Sequence, residues 1–219
     1  RRIAAHLLEA APEDVALRDG RFVVAGTDRD VAWSRVARTA YQPRQLPPGL
    51  EPGWSDTAAF TPPAVTFPNG CHVCEVEVDA ETGVVRVLRY TVVDDVGRMI
   101  NPLLVKGQIH GGIVQGLGQG LAEVLIYDET GQVLAGSFMD YAMPHADEMP
   151  FFDVDAHEVP TRVNPLGAKG VGEAGTVGAL PALMNAVNDA LAPLGVRHLD
   201  MPVSPERVWQ AIRAAGGIE

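Results

Sequence analysis

The stretch from Asn101 to about Ile126 holds six glycines (Gly107, Gly111, Gly112, Gly116, Gly118 and Gly120) in a segment otherwise patterned as one long helix. Asn101-Pro102 opens it, with Asn as the N-cap and Pro at the first helical position. A glycine costs up to about 1 kcal/mol relative to alanine inside a helix, so this density needs a cause outside the helix. Gly112, Gly116 and Gly120 recur every four residues and share one face. That face lets a second backbone or a ligand come very close, and the spacing alone favours neither. The run Gly116-Leu117-Gly118-Gln119-Gly120 lacks the last spacing of Gly-x-Gly-x-x-Gly and does not directly follow a strand, which argues against a dinucleotide-binding turn.

Around this helix the other elements follow from local patterns. Residues 1–11 predict a helix that stops before Pro12. Val15–Leu17 and Arg21–Val24 predict a hairpin turned at Asp19-Gly20. Ser34 offers an N-cap to a short helix running to about Tyr41. Between Pro43 and Pro68 the proline content rises, with Pro-Pro at 47–48 and 62–63, and an extended connector is expected. Two strands, Cys71–Val78 and Val84–Val93, are joined by Asp79-Ala80-Glu81-Thr82-Gly83, and Asp94-Asp95-Val96-Gly97 ends the second. A turn at 128–131 precedes a short strand near 132–135, and Phe151–Glu158 alternates as another strand. A glycine-rich loop runs from Asn164 to Gly175. Helices follow from about Pro181, or a little earlier, to Leu191 and from Ser204-Pro205 to about Ala215. Irregular alternation of strands and helices favours an α+β fold over a doubly wound parallel sheet. The expected division is a small α/β piece at 1–45, a connector at 46–70 and a larger subdomain at 71–219.

At 219 residues and 47% hydrophobic content the chain can bury a real core. A formal net charge of −11 without clustered Lys and Arg argues against nucleic-acid binding. No apolar run reaches the roughly 20 residues of a membrane span, and the first ten residues pattern as an amphipathic helix rather than a signal peptide. The chain lacks an initiator Met and reads as a fragment or a processed product. The two cysteines, Cys71 and Cys74, have Cys-x-x-Cys spacing but sit on a strand, where positions three apart point to opposite faces. Two unpaired strand thiols in a reducing cytosol are therefore expected. His110 is expected to pack rather than to ligate. Asp94-Asp95 and Asp153/Asp155 are expected to be solvated strand-end acids, and His145-Ala146-Asp147 lacks a nucleophilic partner. No protein ligand to a metal is assigned.

The stretch that points to chemistry is Lys169-Gly170-Val171-Gly172-Glu173-Ala174-Gly175. Apart from Val171, the residues flanking Glu173 from 170 to 175 are glycine or alanine, so nothing bulky screens the carboxylate from what lies over the loop. A covering ligand would exclude water and favour the protonated acid, suiting a general base. The helix N-terminus just downstream would favour the ionised form. An acidic residue that merely stabilises a helix end is the competing interpretation of this loop by itself.

The loop gains meaning from its company. Val93-Asp94-Asp95-Val96-Gly97-Arg98-Met99-Ile100-Asn101-Pro102 comes first, followed by Gly107-Gln108-Ile109-His110-Gly111-Gly112-Ile113-Val114-Gln115-Gly116. Asn164-Pro165-Leu166-Gly167-Ala168-Lys169 then leads into the loop. This order closely resembles the C-terminal molybdopterin-binding region of the xanthine dehydrogenase/aldehyde oxidase family. Leu46-Pro47-Pro48-Gly49, Met139-Asp140-Tyr141-Ala142 and Asp200-Met201-Pro202-Val203-Ser204-Pro205 add likeness to the carbon monoxide dehydrogenase large-subunit branch, so the resemblance spans nearly the whole chain.

The resemblance implies a molybdopterin-binding-domain-like fold and a molybdenum-dependent oxidoreductase acting on carbon monoxide, an aldehyde or an N-heterocycle. Glu173 matches the family glutamate that takes the proton from the oxygen attacking the substrate carbon. Gln108 matches a glutamine that hydrogen-bonds the pterin or the metal's oxo group. Gly111, Gly112, Lys169, Gly170, Val171 and Gly172 match segments lining the cofactor, expected as molybdopterin cytosine dinucleotide with molybdenum. Implied partners are the N-terminal remainder of the large subunit and iron–sulfur and FAD subunits, in a cytoplasmic complex expected to be a homo-oligomer. Family large subunits are several times longer; their glycine-rich cofactor loop, arginine-containing substrate loop and second glutamine near the metal lie outside this sequence. So does the Ala-Tyr-Arg loop that can bear a cysteine, which leaves the substrate and any role for copper unassigned. This chain alone is expected to be inactive and to bind the cofactor weakly. The alternative is a non-catalytic assembly module that packs on a missing N-terminal segment.

Overall fold

The computed structural model describes residues 1–55 and 57–216. The chain divides into two compact units, Arg1–Thr61 and Pro62–Glu219, so the boundary falls within the proline-rich stretch.

In the first unit, α1 (Arg2–Leu8) ends at Glu9, whose φ of 47° is left-handed, ahead of Pro12. β1 (Val15–Arg18) and β2 (Arg21–Val24) form the expected antiparallel hairpin. Asp19 and Gly20 take φ of 46° and 74°, the positive pair that a two-residue hairpin turn demands. A third strand absent from the expectation, β3 (Asp30–Ala32), pairs with β2 and runs straight into α2 (Trp33–Thr39). The helix therefore starts one residue before Ser34. Ala32 is its N-cap, with no side-chain cap, and Trp33 stacks on Phe22 at 5.5 Å between ring centroids.

The second unit contains the glycine-rich segments. β4 (Asn69–Val78) and β5 (Val85–Asp95) are antiparallel, and β6 (Phe152–Ala156) adds to β5 in parallel. Between β5 and β6 runs α3 (Pro102–Leu121); α4 (Ala174–Leu191) and α5 (Pro205–Ala214) follow. The architecture is α+β with a mixed sheet. Its core joins Tyr90 and Val92 of β5, Ile109, Ile113 and Leu117 of α3, Leu183 and Val187 of α4, and Ile212 of α5.

Asn101 caps α3 as its sequence implies, accepting from the Leu104 N–H at 3.2 Å. The helix ends at Leu121 rather than near Ile126, because the Ala122 and Glu123 N–H groups both turn back to the Gly118 carbonyl. Beyond it the expected strand near 132–135 reduces to one bridge, Tyr127 to Val133. α4 starts at Ala174 and carries Pro181 inside it. An interior proline costs about 3 kcal/mol in an isolated helix, and here α4 continues through it because Ala179 and Leu183 on either side are fully buried in the core.

Packing of α3 on α4 explains half of the glycines in α3. A Cβ at Gly112 would lie 3.0 Å from the Thr176 nitrogen, at Gly116 2.7 Å from the Ala179 Cβ, and at Gly120 2.5 Å from Leu183 Cδ2. Gly175 of α4 is the reciprocal contact. A Cβ there would sit 3.0 Å from the Ile113 nitrogen and closer still to the Ile109 carbonyl oxygen. Backbone cannot swing aside as a side chain can. Gly175→Leu should therefore cost about 3 kcal/mol or more in urea unfolding. Gly107→Ala, whose Cβ meets nothing within 4 Å, should gain up to about 1 kcal/mol. Equal urea midpoints for the two variants would contradict this account.

Candidate functional site

The end of β5, the first turns of α3 and the loop 164–173 are tied together largely by backbone hydrogen bonds. Lys169 N–H donates to the Val96 carbonyl at 2.8 Å and Arg98 N–H to the Gly167 carbonyl at 2.9 Å. Gly97 permits this approach: its φ is 67°, and a Cβ there would lie 2.9 Å from the Lys169 nitrogen. Asn164 closes the loop from within, its Nδ2 donating to the Ala168 carbonyl at 2.8 Å.

Asp94 and Asp95, expected as solvated strand-end acids, are buried at 2% and 6% exposure. They are the last residues of β5, and neighbours on a strand point to opposite faces. On one face the Asp95 carboxylate pairs with the Lys169 ammonium and accepts from Gly97 N–H at 2.8 Å and Val159 N–H at 3.0 Å. Burial pushes this carboxyl up, but the Lys169, Gly97 and Val159 donors outweigh it and hold it down at about 2. On the other face Asp94 lies against His72 of β4. The two acids thus brace the sheet against the loop and against the residues beneath α4.

The expected site residues divide in the structure. Gln108 is exposed on α3, and its Nε2 donates to the Gly172 carbonyl at 2.8 Å, which ties the helix to the glycine loop. Gly111, Gly170 and Gly172 are exposed, with no heavy atom within 4 Å of a Cβ placed on them. Val171 packs on the core. The Lys169 ammonium is engaged by Asp95, which leaves its main chain and stem toward the cleft. Gly112 is buried against α4, so helix packing, and not room for a ligand, accounts for glycine there. Glu173 occupies the N-cap position of α4, yet its side chain caps no backbone N–H. Its carboxylate is exposed rather than spent on the helix end.

Two hollows flank this loop. A cleft of about 440 Å³ lies between Val96–Leu104 and Gln108 on one side and Ala168–Gly172 on the other. That is the size of a small-molecule site, and Ile100 and Leu104 give it exposed apolar surface. A smaller cavity of about 160 Å³ is lined by Glu173, Ala174, His72 and Asp94. The larger cleft, with open glycines and a fixed glutamine amide on its margin, fits a flat polar cofactor that approaches main chain closely. Among the described residues no three His, Cys, Asp or Glu side chains come together so as to hold a metal ion. Nor, among the described residues, is any helix long and apolar enough to cross a membrane.

Cys71 and Cys74 are both free, the first exposed and the second half-buried. Burial, with the Glu75 carboxylate beside it, pushes the Cys74 thiol up to about 11, so it stays protonated and unreactive. His110 lies beside the Phe152 ring at 5.6 Å between centroids; burial, then the Lys106 charge, lowers its pKa.

The mixed α+β unit sets an open glycine loop beside one cleft and the exposed Glu173 beside the neighbouring cavity, and the chain belongs to the molybdopterin cofactor-binding domain family. That family's model matches residues 1–150. The chain is 40% identical to the carbon monoxide dehydrogenase large chain of Hydrogenophaga pseudoflava, over 97% of its own length and 26% of the relative's. It is 41% identical to the nicotine 6-hydroxylase large subunit of Paenarthrobacter nicotinovorans, over 99% and 26%. The solved Cu,Mo-CO dehydrogenase in its carbon monoxide-reduced state superposes with a TM-score of 0.88 at 38% identity, over 99% of this chain and 27% of that one. The chain thus spans about a quarter of the length of the curated relatives it matches. Glu173 and its loop lie beyond the residues matched by the family model and within the reach of the whole-chain relatives.

Proposed function

We propose that this chain forms one wall of the active site of a molybdenum hydroxylase large subunit, with Glu173 as the general base. The observation that carries this is the uncapped, exposed Glu173 carboxylate at the end of a glycine loop whose main chain is open to a ligand. When bound, molybdopterin cytosine dinucleotide with molybdenum supplies the two-electron oxidation. Gln108 spends one N–H on the Gly172 carbonyl and offers its other N–H and its oxygen to the cofactor. Gly111 and the main chain of Lys169 to Gly172 form the wall against which the cofactor lies. Glu173 removes a proton as the substrate carbon is attacked and returns to its ionised form before the next turnover. Electrons leave through iron–sulfur and FAD subunits in a cytoplasmic complex. Substrate class is set by parts of the large subunit outside this chain, since relatives named for carbon monoxide and for nicotine match it equally well.

The test is to produce the complete large subunit with its partner subunits and to measure molybdenum and the nucleotide released from the pterin. Near-stoichiometric molybdenum, cytidine nucleotide, and oxidation of one of carbon monoxide, an aldehyde or an N-heterocycle are expected. A fully assembled complex devoid of molybdenum would refute the proposal.

A further inference from the structure

Beneath Glu173 lies a buried polar chain that the hydroxylase assignment leaves without a task. In the β4–β5 register His72 stands opposite Val92, so Tyr90 and Asp94, two residues to either side, flank it on the same face. His72 Nδ1 is 2.7 Å from the Tyr90 hydroxyl, and His72 Nε2 is 3.3 Å from Asp94 Oδ1. The His72 and Asp94 side chains are 5% and 2% exposed. Glycines make room for them: a Cβ at Gly178 of α4 would strike the His72 ring, and one at Gly70 would strike the Asp94 carboxyl.

Packing accounts for all of this except one atom. Asp94 Oδ2 is buried and has no hydrogen-bond partner among the described residues. A buried acceptor left unsatisfied costs about 1–3 kcal/mol, and more if charged. Asp94 lines the 160 Å³ cavity that Glu173 also lines. A water occupies about 30 Å³ of liquid, so the cavity admits water, but it is smaller than the roughly 300 Å³ at which small-molecule sites begin.

We propose that ordered water in this cavity joins Asp94 Oδ2 to the Glu173 carboxyl, and that Asp94, held by His72 and Tyr90, is a positioning residue and onward proton acceptor for Glu173. The proposal rests on Glu173 being the base. In the relay the Glu173 acid gives its proton to the water, and the same water gives one to Asp94 Oδ2. Glu173 is left as carboxylate, Asp94 as carboxylic acid and the water unchanged. His72 keeps Asp94 oriented through Nε2–H while Nδ1 accepts from the Tyr90 hydroxyl. The titratable groups on this face of the sheet are Cys74, His72, Tyr90 and Asp94, and the helices packed against it add His110 of α3, beside Phe152, and Glu173 at the N-cap of α4. Asp95 and Lys169 are paired on the opposite face.

The test uses the complete enzyme. A crystal structure of the wild type should show water within hydrogen-bond distance of both Asp94 Oδ2 and Glu173. Asp94→Asn should keep its molybdenum, lower kcat by about tenfold and move the acid limb of the kcat profile to lower pH. The direction follows because removing a like charge near the base favours its ionised form. Tyr90→Phe, which keeps the ring and removes only the hydroxyl, should change kcat in the same direction by a smaller factor. It carries the test if Asp94→Asn does not fold. No bridging water, a wild-type pH profile in Asp94→Asn, or a wild-type kcat in Tyr90→Phe overturns the relay. If Glu173→Gln abolishes turnover while these variants behave as wild type, the relay alone fails; if Glu173→Gln is fully active, the base assignment fails with it.

Discussion

Glu173→Gln should leave the assembled enzyme folded and loaded with cofactor while lowering its turnover by about two to four orders of magnitude. The substitution changes almost nothing but the ability to take a proton. Glutamine has the shape and length of glutamate, and the side chain at this position makes no capping bond to α4 that could be lost. Its negative charge beside the helix N-terminus contributes at most about 1 kcal/mol when exposed. The core contact that starts the helix is made by Gly175 against α3, not by Glu173. Molybdenum content and circular dichroism should therefore match the wild type. Turnover within threefold of wild type would sink the assignment of Glu173. Loss of the cofactor together with turnover would mean that the carboxylate holds the site together instead of acting in it.

Legibility in the sequence depended on how far apart the cooperating residues lie. Asn101-Pro102 and Asp19-Gly20 are local devices, and both form as their residue types dictate. The four-residue glycine spacing in α3 showed that something comes close. Naming α4 as that partner required knowing that Gly175 and Ala179 face it. Pro181 misled because an interior proline is a local cost, whereas burial of Leu183 and Val187 in the core is a tertiary gain. Asp94 and Asp95 looked like solvated strand ends because their partners are remote. Lys169 lies 74 residues from Asp95 in the chain, and His72 reaches Asp94 only through the strand register, which shifts between Glu75 and Val76. The loop around Glu173 was visible as a motif. Its carboxylate became a candidate base through the order of neighbouring motifs, and the structure adds that no cap occupies it.

Lys169→Met should be the most damaging single change to the frame of the site, costing about 3–5 kcal/mol at neutral pH. The Lys169 and Asp95 side chains are 13% and 8% exposed, and removing the ammonium leaves a buried carboxylate with only backbone donors and a distant Asn69 amide. Those remaining donors place the expected loss toward the lower end of the range. The pH dependence has a definite sign. Asp95 titrates at about 2 in the folded chain against an ordinary 3.8. Its contribution to stability is therefore complete above about pH 4 and disappears as the pH falls through about 2. Urea unfolding of wild type and variant should accordingly differ most at pH 7 and converge as the solution is acidified below pH 4. A gap that stays constant over that range would show that the lysine acts through its aliphatic stem instead of its charge. The double variant Lys169→Met/Asp95→Asn should recover part of the loss, because it removes the orphaned charge along with the cation. Lys169 opens the loop that ends at Glu173, so the same substitution should also loosen the backbone link between Lys169 N–H and the Val96 carbonyl. Reduced molybdenum content in the complete enzyme would then accompany the loss of stability, in contrast to Glu173→Gln, which should spare both.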